Sequence, residues 1–132
     1  MQILVTGASG HLGYHIVKRL VSQGYKVKAL IRPTSFRQHL DKLAVEICLG
    51  DMLERDSVLR ACRGVDTVFH TACTYDLSAD CDSKMIWATA VDGTRNLLEC
   101  CAQEKSKRII YTSSVETIGV SGNKSVALTE DD

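Results

Sequence analysis

Apolar residues along this chain come in short blocks, and the blocks change period from one to the next. Ile3-Leu-Val5 is a compact apolar run, and after a glycine-rich turn Leu12, Ile16, Val17, Leu20 and Val21 recur at three- and four-residue spacing until Gly24. That pattern predicts a strand, a tight turn and a helix. Lys26-Val-Lys-Ala-Leu-Ile31 predicts a second strand halted by Pro33, and Val45-Glu-Ile-Cys-Leu49 a third before Gly50-Asp51, with a short polar connection between them. Val58, Leu59 and Cys62 share one face of a helix over 56–62, and Asp66-Thr-Val-Phe-His70 reads as a fourth strand. Ile86, Ala90, Leu97, Leu98 and Cys101 predict a helix over 83–103, followed by a fifth strand, Arg108-Ile-Ile-Tyr-Thr112. No internal repeat or low-complexity segment interrupts the alternation.

Strands separated by helical crossovers predict an α/β fold with a parallel sheet and helices on both faces, in strand order 3-2-1-4-5. With 132 residues, 45% hydrophobic and 24% charged, the chain is enough for one domain with one core. Sixteen basic residues balance sixteen acidic ones, so no net field recruits nucleic acid or an anionic membrane. No apolar run approaches the roughly 20 residues of a membrane span, and Met1 to Thr6 lacks the features of a signal peptide. The expectation is a soluble, cytoplasmic protein without membrane or nucleic-acid partners. The six cysteines include no C-x-x-C pair and read as reduced, mostly buried fillers. His11 and His15 share a helix face but lack a third ligand, so no metal site is expected.

In a sheet of this kind ligands sit at the carboxyl ends of the strands where strand order reverses, between strands one and four. The turn Thr6-Gly-Ala-Ser-Gly-His-Leu-Gly13 ends strand one at that point. Gly7 allows the sharp exit from the strand, Gly10 lets a phosphate approach the backbone, and Gly13 permits close helix packing. The amides of this turn, with Ser9, His11 and Leu12 among its residues, face an anion at the positive end of the helix. These features point to dinucleotide binding. At the tip of strand two, Ile31-Arg32-Pro-Thr-Ser-Phe-Arg37 offers no carboxylate for a ribose 2′-hydroxyl. Arg32, helped by Ser35 and Arg37, suits a 2′-phosphate, which favours NADP over NAD.

The glycine turn, Gly50-Asp51-Met52, Val68-Phe-His-Thr-Ala72, Val91-Asp-Gly-Thr-Arg-Asn-Leu-Leu98 and Tyr111-Thr-Ser-Ser-Val115 together resemble the extended short-chain dehydrogenase/reductases over nearly the whole chain. Arg32-Pro-Thr-Ser35 and Tyr111 to Gly119 look most like the dihydroflavonol-reductase-like branch and the hopanoid-associated sugar epimerases. The resemblance implies a Rossmann-like fold, a nicotinamide dinucleotide and a small carbonyl or nucleotide-sugar-like substrate. It also implies a homodimer through helix 83–103. By it Asp51 and Met52 contact the adenine, and Thr71, Ala72 and Cys73 line the pyrophosphate and nicotinamide ribose. Ser114, or less aptly Ser113, matches the catalytic serine. Taken alone, Asp51 reads equally as a turn residue, Thr71 as a strand end and the two serines as loop hydroxyls.

Two positions depart from the family pattern. Ala90 stands where many members have Asn before Val-x-Gly-Thr, and no Tyr-x-x-x-Lys follows Ser114. Tyr14-His-Ile-Val-Lys18 has the right spacing, but both residues are ordinary neighbours within the first helix. Tyr111 has no lysine at the required offset. The expectation is that 1–132 is the dinucleotide-binding half of a reductase, epimerase or dehydratase, truncated before its substrate region, inactive alone, with strand five an open edge. The alternative is an NADP-binding sensor without chemistry. A methyltransferase reading conflicts with Ile31-Arg32, where an acidic residue would be wanted.

Overall fold

Alternate side chains of each strand enter opposite apolar layers, and this two-sided burial builds the molecule. A computed structural model describes residues 1–74, 82–119 and 128–129. Its elements are β1 (Gln2–Thr6), α1 (His11–Ser22), β2 (Lys26–Ile31), β3 (Glu46–Leu49), α2 (Arg55–Cys62), β4 (Thr67–His70), α3 (Ser83–Trp87), α4 (Thr94–Gln103) and β5 (Arg108–Tyr111). A π-helical turn, Ala88–Gly93, joins α3 to α4, and a short 3-10 turn, Val115–Ile118, follows β5. All strand pairs are parallel, in the order β3-β2-β1-β4-β5, as the sequence predicts. β1 lies at the centre, with Val5 beside Ala29 on one side and Phe69 on the other.

One layer buries Ile3, Val5, Ala29 and Ile31 under Val17 and Leu20 of α1. The opposite layer buries Leu4, Leu30 and Val68 under Val58 and Cys62 of α2 and Leu97, Cys100 and Cys101 of α4. Cys62 and Cys101 bring their sulfurs to 3.8 Å inside it. These three cysteines are core residues as expected, Cys48 is half-buried and Cys73 is exposed; Cys81 lies outside the described residues.

Three differences from the sequence reading have physical causes. β4 begins at Thr67 because Asp66 is occupied in closing the strand's start: its amide donates to the Gln2 carbonyl at 2.9 Å and its carboxylate accepts from the Gln2 amide at 3.0 Å. The helix expected over 83–103 is interrupted by the π turn, and Leu98, expected on its buried face, is 47% exposed. One residue rotates the helix by about 100°, so Leu97, Cys100 and Cys101 take the inward stripe and Leu98 its flank. The β2–β3 connection has no helix, as the sequence predicts, but it is not wholly polar: the Leu40 side chain is fully buried against the α1 layer and pins it. β5 pairs only with β4 among the described residues and leaves Ile110 and Tyr111 exposed.

Candidate functional site

β1 ends at Thr6, and the chain must reverse at once to start α1 on the sheet's near face. Gly7 makes that turn at φ +67°, packed so closely on the backbone after β4 that a Cβ there would lie 2.7 Å from the Ala72 amide nitrogen. The Gly10 amide donates to the Gly7 carbonyl at 2.9 Å, and the Tyr14 amide to the Gly10 carbonyl at 2.9 Å, which begins the helix. Gly13 passes directly beneath: a methyl group on it would collide with the Gly7 carbonyl oxygen. No side chain caps the start of α1, so its first amides are open to an anion.

The turn forms one wall of a cleft of about 240 Å³ at the carboxyl ends of the strands. Gly7, Ser9, Gly10, Arg32, Ser35, Asp51, Met52, Thr71, Ala72 and Cys73, all singled out in the sequence, line it together. His11 and Leu12 lie exposed on the first turn of α1, outside the lining, and Gly13 is buried. Ser114 is exposed beyond β5 and also lies outside the lining; its carbonyl accepts from the amide and hydroxyl of Thr117 at 3.1 and 2.7 Å. Arg37 pairs with Asp41 at 3.8 Å on the surface. The Asp51 carboxylate accepts from the Leu53 amide at 2.9 Å, so it shapes its own turn as well as facing the cleft.

Met85 and Thr89 also line the cleft, and the sequence reading missed both. Thr89 sits in the π turn, whose widened backbone an apolar repeat does not encode. A buried polar chain beneath the cleft was missed as well. His70, 1% exposed, places Nδ1 2.7 Å from the Thr6 hydroxyl and Nε2 3.0 Å from the Thr94 hydroxyl. The Ala72 amide donates to the Thr6 hydroxyl at 3.3 Å, and the Thr71 hydroxyl to the Thr6 carbonyl at 2.7 Å. Burial pushes the His70 imidazole down to about 4, so it is neutral at pH 7.

The same contacts explain the Val91-Asp-Gly-Thr-Arg-Asn motif. Thr94 holds His70, and the Asn96 side-chain amide donates to the Met52 carbonyl at 2.9 Å, fixing the floor of the cleft from α4. Asn96→Ala leaves that part-buried carbonyl without its donor and is expected to cost about 1–2 kcal/mol in a urea unfolding titration. Arg95 and Asp92, paired at 2.7 Å on the surface, are worth little by comparison. The Tyr14 ring packs on His15 and His39 rather than facing the cleft. Among the described residues no group of three or more His, Cys, Asp or Glu is placed to hold a metal ion, and no helix is long and apolar enough to cross a membrane.

The sequence pattern of the 3-beta hydroxysteroid dehydrogenase/isomerase family matches residues 4–131. Sterol demethylase protein B of Methylococcus capsulatus is 39% identical over 120 residues, which cover 91% of this chain and 36% of that protein. Among solved structures, a short-chain dehydrogenase/reductase superfamily protein from Agrobacterium tumefaciens with bound NAD superposes with a TM-score of 0.78 at 27% identity, covering 90% of this chain and 34% of that one. The UDP-glucose 4-epimerase of Thermus thermophilus in complex with NAD gives a TM-score of 0.75 at 28% identity, covering 86% and 38%. The chain thus spans about a third of the length of the relatives it matches.

Proposed function

The chain belongs to the 3-beta hydroxysteroid dehydrogenase/isomerase family, within the short-chain dehydrogenase/reductase fold, and from that premise we propose that its cleft binds NADP as the cofactor half of a reductase, epimerase or dehydratase. The observation that carries the reading is the wall-to-wall cleft itself: an uncapped helix start and the Gly7 turn at one end, Arg32 and Ser35 at the other. Two similar structures with NAD bound support a nicotinamide dinucleotide of some kind. When bound, that group gives or takes a hydride.

The amides of the Gly7–Gly13 turn hold the diphosphate, and Arg32 with Ser35 holds the 2′-phosphate. Asp51 and Met52 receive the adenine, while Thr71, Ala72 and Cys73 line the path to the nicotinamide ribose. Ser114 orients a carbonyl of a small substrate. Proton transfer needs a tyrosine whose phenol is lowered by a nearby cation, since an unperturbed phenol titrates near about 10. Tyr111, on exposed β5 beside the His70 ring, and Tyr14, packed within α1, are both unsuited to that task. Trp87 on α3 and Leu98 on α4, both exposed, support a homodimer through the segment from Ser83 to Gln103.

Fluorescence titration of NADPH and NADH tests the assignment. NADPH is expected to bind more tightly, and Arg32→Ala to weaken NADPH by about tenfold or more while leaving NADH within about twofold. Equal binding of both nucleotides, unmoved by the substitution, would remove the 2′-phosphate contact. Binding of neither would remove the dinucleotide reading.

A further inference from the structure

Where the β1–β4 ladder ends, the cleft's first wall and its fourth-strand wall meet at one residue, Thr6. Its hydroxyl accepts from the Ala72 amide, and its carbonyl accepts from the Thr71 hydroxyl. Gly7 and Ala72, which both line the cleft, are in backbone contact at this seam. The spacing of the seam therefore depends on where the Thr6 hydroxyl sits.

His70 determines that position from below. The Thr6 oxygen accepts from the Ala72 amide and pairs with His70 Nδ1, 2.7 Å away, so the ring and that amide together fix its place. On the other side of the ring Nε2 pairs with the Thr94 hydroxyl at 3.0 Å, and in either neutral tautomer one ring nitrogen donates and the other accepts. The imidazole is a rigid spacer between α4 and the end of β1. It is too deeply buried to meet a ligand, and its two hydrogen-bond partners, Thr6 and Thr94, lie outside the cleft lining.

We propose that His70 is a positioning residue for the dinucleotide site: braced on Thr94, it sets the Thr6 hydroxyl and so the distance between the glycine turn and the Thr71–Ala72 backbone. The proposal rests on the dinucleotide reading above and adds a residue to it that touches neither cofactor nor substrate.

Measuring NADPH affinity and thermal midpoint on the same variants separates positioning from plain stability. Thr6→Val keeps the shape and removes the hydroxyl; it is expected to weaken NADPH by about tenfold, while Thr6→Ser, which keeps the hydroxyl, stays within about threefold of wild type. Ser106→Ala removes a hydrogen bond to the Val65 carbonyl at the far end of β4. It is expected to lower the midpoint and leave NADPH affinity unchanged. At position 70 itself, asparagine reaches the Nδ1 position and glutamine the Nε2 position, so His70→Asn should retain more affinity than His70→Gln. Wild-type affinity in Thr6→Val, a loss in Ser106→Ala equal to that in Thr6→Val, or better retention by Gln than by Asn would each overturn the proposal. If neither substitution at position 70 folds, the Thr6 pair and Ser106→Ala decide. Wild-type protein that binds neither NADPH nor NADH overturns the dinucleotide reading and this inference with it, an outcome distinct from the others.

Discussion

Gly13→Ala is expected to abolish dinucleotide binding and to remove a large share of the chain's stability. The added methyl meets the Gly7 carbonyl oxygen and, at 2.8 and 2.9 Å, the Gly7 carbonyl carbon and Ala8 Cα. All three are backbone atoms, and Gly7 cannot retreat because its other side rests on the Ala72 and Thr71 backbone. Relief must come from lifting α1 off β1, which uncovers Val17 and Leu20. Overpacking of this kind costs about 3 kcal/mol, against about 5–15 kcal/mol for a whole domain. A urea titration should show the midpoint falling sharply, and NADPH titration should show no saturable binding. An alanine variant with the wild-type midpoint would mean that the helix does not sit on the turn as described.

Acid should destabilise the fold earlier than its carboxylates alone would. His70 is held down to about 4 by burial, whereas in an unfolded chain a histidine titrates near about 6.5. Between those values the unfolded chain takes up a proton that the folded chain refuses. Stability is therefore fully present above about 6.5, falls as pH drops toward 4, and is level again below that, a loss of about 3 kcal/mol in all. Asp66 acts in a lower window: the hydrogen bond from Lys107 holds its carboxyl below the usual 3.8, so its contribution fades only under that pH. Unfolding free energies at a series of pH values should show the upper slope in wild type and not in His70→Asn. Parallel curves for the two proteins would contradict the buried neutral imidazole.

The sheet and its order were legible because each strand is a short apolar run with its own stop signal, and a parallel sheet buried on both faces needs no alternation within the run. The cleft was legible for a related reason: glycines at Gly7, Gly10 and Gly13 and a cation at Arg32 are chemically unusual for a turn and a strand tip. What the sequence hid were contacts made by ordinary-looking residues. His70 and Thr6 read as strand ends and Thr94 as a helix position, and only the pairing of β1 with β4 beneath α4 brings them within hydrogen-bonding distance. Thr89 was hidden by the π turn, and Leu98 falls inward on an uninterrupted helical repeat because that repeat extends its apolar stripe too far around the helix. Asn96 was visible as part of a motif, but its partner, a main-chain oxygen at Met52, has no sequence signature.

The segment from Arg32 to Ala44 touches the core chiefly through one fully buried side chain, Leu40, while Arg32 and Ser35 stand in the cleft ahead of it. A peg of this sort divides the labour within a single loop. Grafting a foreign sequence onto the stretch before Leu40 should exchange one nucleotide preference for another and leave the sheet's architecture intact, whereas replacing the peg itself should loosen the whole graft.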